Sequence, residues 1–426
     1  MPLEGGRNGL AAAYDDRPMK SALSIALVSR SNAAGGGASR IAEELGEWFR
    51  SGGSQVVHYC ASPVGQLKPF QKPLYPPGLS GKLARTGNRL TRLFGLKELI
   101  PFEFYLTLKR ALGGFDVVHF HDLNLALSPL TMPLCSRENA VVLTAHDCSC
   151  FTGGCLYPLR CNRYLAGCGE CPQLSSIGAR LDFTKINLGI NRWLARQRGV
   201  QYVFPSQWLR ETASRSLQFA KTAVVIPNGF SSARYDLRSK SDARRKLGIR
   251  DEQKVVLVAA HYLADPRKGV ALALSAIHAI ADLAPLVIFV GIPPDDLEVR
   301  LPGIRFWMTG FVRDRCKLGL LFAAADVFLF TSLEDNLPIM VQEALAAGTP
   351  VVGFAAGGVP EMVDHERTGW LCPPGDQIAL TRNLRNALTR DDLAEFGRTA
   401  QETMSQRFNV DLFGQRHLEL YQEALN

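Results

Sequence analysis

The sequence predicts an α/β protein whose two parallel-sheet halves face each other across a cleft. Three observations carry this. Short β-branched or aromatic runs alternate with stretches of helical spacing along most of the 426 residues, the pattern of parallel strands joined by crossover helices. The alternation breaks once, at the polar and charged segment 231–251, SSARYDLRSKSDARRKLGIRD, and then resumes. No apolar run exceeds strand length: the richest, 255–260 and 286–291, fall far short of the ~18 residues that span a bilayer.

The elements follow in order. Residues 1–20 read as a polar, mobile tail that lacks the basic-then-apolar order of a signal peptide. The N-terminal half, 21–230, opens with the apolar run 22–29 and the glycine loop Gly35–Gly37. Residues 39–49 then put Ile41, Leu45, Trp48 and Phe49 at helical spacing. Strand candidates lie at 56–59, 116–120, 140–144 and 201–204, each bounded by polar or turn residues. The run 224–226 ends at the turn Pro227-Asn228-Gly229. The second half, 231–405, has strand candidates at 254–260, 286–290, 304–308, 327–330, 350–354 and 370–371. The last segment, 406–426, is helical with no strand after it, and is expected to pack back on the N-terminal half.

Composition is that of a soluble globular protein, 46% hydrophobic and 21% charged, with enough apolar material for two cores. The formal net charge is +8, and it is uneven. Lys68, Lys72, Lys82, Arg85, Arg89, Arg92, Lys97, Lys109 and Arg110 stand against only Glu98 and Glu103. Leucine and phenylalanine interleave through 82–97. Such a stretch suits a helix lying on an anionic membrane or a solvated helix covering a domain edge. Nucleic acid is disfavoured as a partner, because the charge is concentrated in one stretch with no recognition motif. A cytoplasmic protein is expected, at the inner face of the membrane if the basic helix docks there.

The densest chemistry lies in 331–363, TSLEDNLPIMVQEALAAGTPVVGFAAGGVPEMV. Ser332, Glu334, Asp335 and Asn336 follow a buried strand, where open α/β sheets bind ligands. Pro338 suits the start of the next helix. That helix is almost wholly apolar yet holds Glu343, a carboxylate that is costly to bury without a partner. A ligand hydroxyl or a neighbouring basic residue would each serve. Gly357-Gly358 and Pro360-Glu361 open another helical turn, so two helix N-termini side by side would suit a diphosphate.

This segment resembles the signature of family 4 retaining glycosyltransferases, which have the GT-B fold of two Rossmann-like domains. Asp335 and Glu343 have the family's spacing, followed by Ala-Leu-Ala-Ala-Gly-Thr-Pro-Val-Val and a Gly-Gly-x-x-Glu motif. The resemblance implies that Glu343 binds the donor ribose. It also implies that Glu334, Asp335, Asn336 and Leu337 approach the donor sugar and Gly358 the donor. The family usually has Glu-x-Phe-Gly where this chain has Asp335-Asn336-Leu337-Pro338, which leaves open whether Glu334 or Asp335 meets the sugar. The Asp-Asn-Leu-Pro form resembles an exopolysaccharide sub-group that includes the colanic acid transferases.

The remaining residues are read in that light. Lys268, before Gly269, matches the family lysine that neutralises the donor diphosphate, and the adjoining Arg267 is a candidate for the family arginine that is missing at His261-Tyr262. Gly36 and Gly37 would approach the donor from the other half. His121 matches a family histidine near the donor sugar, while His119 reads as structural. His146 ends another strand and is a candidate on the acceptor side. The expected reaction passes a hexose-type sugar from a nucleoside diphosphate to a saccharide acceptor, lipid-linked in the sub-group it resembles, with no cofactor in catalysis. An epimerase of the same fold and a non-catalytic sugar-nucleotide binder are the alternatives.

Six of the ten cysteines fall within 148–172. Cys155, Cys161, Cys168 and Cys171 are spaced C-x5-C-x6-C-x2-C, which suits four thiolates around one structural Zn²⁺. Free thiols or a labile disulfide are the other reading.

Overall fold

The computed structural model describes residues 22–75, 77–79, 82, 83, 86, 101–121, 123, 126–175 and 181–426. The tail 1–20 and nearly all of the basic stretch 82–97 lie outside them.

Two parallel sheets make up the molecule. The first has the order β3-β2-β1-β4-β5-β6-β7, formed by β1 (Ser24–Ser29), β2 (Gln55–Cys60), β3 (Gln71–Pro73), β4 (Val117–His121), β5 (Ala140–Thr144), β6 (Val200–Phe204) and β7 (Val224–Val225). The second has the order β10-β9-β8-β11-β12-β13, formed by β8 (Val255–Tyr262), β9 (Leu286–Ile292), β10 (Arg305–Met308), β11 (Val327–Phe330), β12 (Val351–Phe354) and β13 (Gly369–Cys372). Each order steps outward in both directions from its first strand, which places a crevice at the carboxyl ends of β1/β4 and of β8/β11. The strand the sequence does not reveal is β3. It is three residues long, polar and ends in proline, which only an edge position tolerates.

Helix α1 (Gly37–Ser51) buries Ile41, Leu45 and Phe49 against the first sheet. Helix α2 (Ile339–Ala346) is packed on all sides in the second domain, with Pro338 as its N-cap. The final helix, α3 (Val410–Leu425), belongs spatially to the first domain. Its Phe413, Leu420 and Tyr421 join Ile25, Leu27 and Phe49 in one core, and Tyr421 stacks on Phe49 at 5.1 Å. The chain therefore crosses between domains twice, and the crossings touch: Phe230 N–H donates to Phe408 O at 2.7 Å.

Two glycines set the cleft loops. Gly269 has φ +63°, and a Cβ there would lie 2.2 Å from Thr331 O. Gly357 has φ +60°, and its Cβ would lie 1.8 Å from Asp335 O. Any other residue would strain the backbone and displace the strand end that carries Asp335.

Candidate active site

The cleft between the domains encloses about 380 Å³, within the ~300–1,000 Å³ of small-molecule sites. On the second domain's side, Asp265 accepts a hydrogen bond from Arg267 N–H at 2.9 Å and shapes the turn that presents the two cations. Lys268 Nζ donates to Asp335 Oδ2 at 2.7 Å and Arg267 Nη1 donates to the same oxygen at 3.2 Å. Tyr157 OH donates to Asp335 Oδ1 at 3.2 Å, and its ring lies 4.4 Å under the Arg267 guanidinium. Burial pushes the Asp335 carboxyl up, but Lys268 and Arg267 outweigh it and hold the group below its ordinary range. Arg267 thus stands beside Lys268 in the cleft rather than out in solvent.

Of the two adjacent carboxylates, Asp335 lines the cleft, with Asn336 and Leu337. Glu334 turns toward the cysteine-rich loop and accepts the Leu159 N–H. Burial raises its pKa to about 7. Asn336 is bound from the first domain on both sides of its amide: Nδ2 donates to His146 O at 3.0 Å, and Oδ1 accepts from Ser206 Oγ at 2.5 Å.

Glu343 is buried, and its partner is a basic residue from the opposite domain. Arg40 Nη1 donates to Glu343 Oε1 at 2.6 Å, and Tyr235 OH donates to the same oxygen at 2.7 Å. Sequence reasoning missed both partners. Arg40 Nε is buried without a hydrogen bond, a cost of about 1–3 kcal/mol.

The region around Gly358 is arranged differently from the expected diphosphate cradle. Gly358 packs against Asn336 O and Ser206. The turn after it, Val359–Glu361, is a short 3-10 helix, and Glu361 accepts the Gln207 and Trp208 N–H groups at 2.8 Å each. These cap the helix Gln207–Ser214 of the first domain. A carboxylate therefore takes the anion position at that helix end and ties the domains together there. The N-terminus of α2 does open on the cleft, through Leu337, Pro338 and Ile339.

The first domain contributes Gly36, Gly37, Arg40, His146 and Asp147 to the lining. His121 lies behind His146, fully buried, with its Nδ1 3.0 Å from His146 Nε2. Its Nε2 is buried without a partner. His119 sits 2.6 Å from Tyr421 OH and 2.7 Å from Thr144 Oγ1, a structural placement. Burial, reinforced by the neighbouring imidazoles, drives His119 and His121 far below the ordinary histidine range. It lowers His146 to about 3 and His417 to about 4. Behind His146, the cleft is backed by a buried cluster of neutral rings.

The four cysteines come together. Cys155, Cys161, Cys168 and Cys171 line one small, mainly apolar cavity with Tyr164 and Thr184. Cys168, Gly169 and Glu170 all have positive φ, giving a tight left-handed C-x2-C turn. Among the described residues, however, no three His, Cys, Asp or Glu side chains stand as they would around a bound metal ion. The same loop carries Tyr157 and Leu159 to Asp335 and Glu334, so it bridges the cleft. Among the described residues, no helix is long and apolar enough to cross a membrane.

Two facing parallel-sheet domains, with cations and carboxylates gathered between them, are the architecture of GT-B glycosyltransferases. Solved structures agree on the fold. Sucrose-phosphate synthase from Thermosynechococcus elongatus aligns with TM-score 0.68 at 20% identity, over 94% of this chain and 98% of that one. Anabaena HepE in complex with UDP-glucose aligns with TM-score 0.66 at 20% identity, over 94% and 100%. Residues 35–234 match the family model described as Glycosyltransferase Family 4, and 253–390 match that of Glycosyl transferases group 1. WcaC of Escherichia coli (strain K12), designated a colanic acid biosynthesis glycosyl transferase, is 26% identical over 78% of this chain and 81% of its own length. WcaL of the same strain, similarly designated, is 34% identical over 106 residues, covering 23% of this chain and 26% of that one. The chain is a glycosyltransferase of family 4, and it resembles the exopolysaccharide enzymes of that family.

Proposed function

We propose that this chain is a retaining transferase that moves a hexose-type sugar from a nucleoside-diphosphate sugar to a saccharide acceptor, a lipid-linked intermediate of surface polysaccharide synthesis, at the cytoplasmic face of the membrane. The observation that carries the reading is the convergence of Lys268 and Arg267 on Asp335 at the strand ends facing the first domain. Two cations held in register by one carboxylate are a ready site for a diphosphate, and the HepE complexes hold UDP and UDP-glucose in a protein of this fold. The colanic acid designation of WcaC supports the acceptor class.

In this reading Lys268, Arg267 and the N-terminus of α2 stabilise the charge that builds on the departing diphosphate. The acceptor hydroxyl oxygen bonds to the anomeric carbon on the face the phosphate leaves. The bond from that carbon to the β-phosphate oxygen breaks, and the hydroxyl proton passes to that oxygen. Asp335 orients the sugar and offsets positive charge on its ring, and His121, buried behind His146, holds that imidazole in place at the cleft. Glu343 takes the ribose hydroxyls. Domain closure over the site excludes water as a competing acceptor.

The test is a panel of nucleotide sugars incubated with the purified chain, with and without a membrane lipid extract, reading nucleoside diphosphate. Release from one donor that rises with the extract is the expected result. Silence across the panel, with no donor bound by calorimetry, would remove the reading. A structural Zn²⁺ among the four cysteines belongs to the same proposal, and it requires the sulfurs to draw closer than they now stand. About one zinc per chain, one ion for one four-thiolate set, is expected in protein purified without chelators. Well under one would leave the thiols metal-free.

A further inference from the structure

The contact between Arg40 and Glu343 is not explained by holding a donor, because it joins the donor-side carboxylate to the opposite domain. It arises where two helix N-termini meet. Gly37 opens α1, and a Cβ there would lie 3.2 Å from Ile339 Cδ1, the first residue of α2. Arg40 is one turn into α1 and Glu343 one turn into α2, so the two side chains face each other across the cleft. Arg40 also donates to Tyr235 OH at 3.1 Å. Tyr235 lies just past the first crossing between domains, in the polar segment that separates the two series of strands.

The next turns of α1 continue the attachment. Glu44 pairs with Arg315 at 3.1 Å and with Arg234 at 3.6 Å, and Glu47 also pairs with Arg234. One face of α1 is therefore fastened to the second domain at residues 40, 44 and 47, the spacing of one helical stripe. The Arg40 contact differs from the other two because it ends on a residue of the donor site. Both hydrogen bonds to Glu343 fall on Oε1, so Oε2 takes no part in the latch and is the oxygen left for a ligand. A buried carboxylate stays in one orientation only while its partner holds it.

Resting on the donor-site reading above, we propose that Arg40 is a positioning residue for the donor: it fixes the Glu343 carboxylate for a nucleoside ribose, so that binding the nucleotide and closing the two domains are one coupled event. The ligand class is a nucleoside diphosphate or its sugar ester. Lysine does not replace Arg40: both hydrogen bonds leave from Nη1, at the far end of a side chain longer than lysine's, and a shorter ammonium would draw away from Glu343 and Tyr235.

The experiment measures nucleoside diphosphate binding by calorimetry, with UDP, GDP and ADP as probes, and uses whichever the wild-type chain binds best. Arg40→Lys is expected to weaken that binding about tenfold or more, the scale for disturbing a buried charge pair. Tyr235→Phe, which removes one hydroxyl and little volume, is expected to weaken it less. In a Glu343→Gln background, Arg40→Lys should add little, because the two act as a unit. Small-angle scattering should show nucleotide-induced compaction in the wild type that Arg40→Lys lacks, a change that mere loss of stability does not produce. Unchanged affinity in Arg40→Lys and Tyr235→Phe, or full additivity in the double variant, overturns the inference while leaving the donor site standing. Failure of the wild type to bind any of the three nucleotides overturns both.

Discussion

The two walls of the cleft solve the problem of burying polar groups in opposite ways. The second domain's wall is charged, and every charge has its counter-charge: Asp335 with Lys268 and Arg267, Glu343 with Arg40. The first domain lines the cleft with Arg40, Asp147 and His146, and behind His146 it is backed by neutral rings. His119, His121, His146 and His417 are buried side by side with no carboxylate among their hydrogen-bond partners, and each is kept uncharged by its surroundings. The contrast teaches where permanent charge is needed. A diphosphate requires fixed cations, whereas a site that must stay dry around a reacting sugar is served by rings that hold no charge.

The largest test of this contrast is Lys268→Ala. Its loss should lower kcat/KM about 10²–10³-fold, the scale of removing one donor aimed at developing negative charge. Unaltered turnover and donor affinity would mean the charged wall does not face the diphosphate. Asp335→Asn sharpens the point. It frees both cations from their counter-charge, so a bare nucleoside diphosphate should bind as well as or better than before, while transfer falls about 10²-fold. Calorimetry beside steady-state kinetics separates the two effects.

Acid should act on the neutral rings first. Burial lowers His417 to about 4 and His146 to about 3, below the unfolded value of 6.5. The unfolded chain therefore binds more protons as pH falls below 6.5, and stability declines through that window toward pH 4. Each ring contributes a slope of up to roughly 1.4 kcal/mol per pH unit. Hydrogen exchange across a pH series should show the first domain opening before the second. The smallest effect has the opposite sign. Glu334, raised to about 7, favours the folded state most below its unfolded value of 4.5 and loses that contribution as pH rises toward 7. Glu334→Gln keeps an acceptor for the Leu159 N–H, so it should remove the stability loss that this group causes between about pH 4.5 and 7, leaving the histidine slope in place. A urea titration at pH 5 and pH 8 reads this.

How far each wall can be read from sequence follows the same division. The charged wall is compact in the chain: Arg267 and Lys268 share one turn, and 334–343 supplies the carboxylates. Both stretches follow strands whose β-branched runs are easy to see. What escaped notice lies far away in the chain. Arg40 meets Glu343 across 303 residues, Tyr235 across 108, and Tyr157 reaches Asp335 across 178. No local pattern encodes such pairings, although Arg40 does stand directly after the glycine loop. Glu361 shows the converse. Its motif is plain in the sequence, yet its carboxylate closes the helix end of the neighbouring domain, because only the assembled fold brings that end within reach. The histidines were visible as strand ends, but their order in depth, His146 at the surface and His121 behind it, depends on how β4 and β5 pack.

The placement of α3 has a consequence for the order of events in synthesis. The first domain's core is closed by Phe413, Leu420 and Tyr421, which a ribosome adds only after the second domain's sheet. At about 5–20 residues per second, roughly 10–40 s pass between completion of β7 and arrival of this helix. During that interval Ile25, Leu27 and Phe49 lack their cover, and His119 lacks the tyrosine hydroxyl that it holds in the finished molecule. The second domain meanwhile has its whole sheet available to fold. The first domain is thus completed after the second, although its strands are made earlier, and residues 21–230 expressed alone would be an open core awaiting a helix rather than a domain.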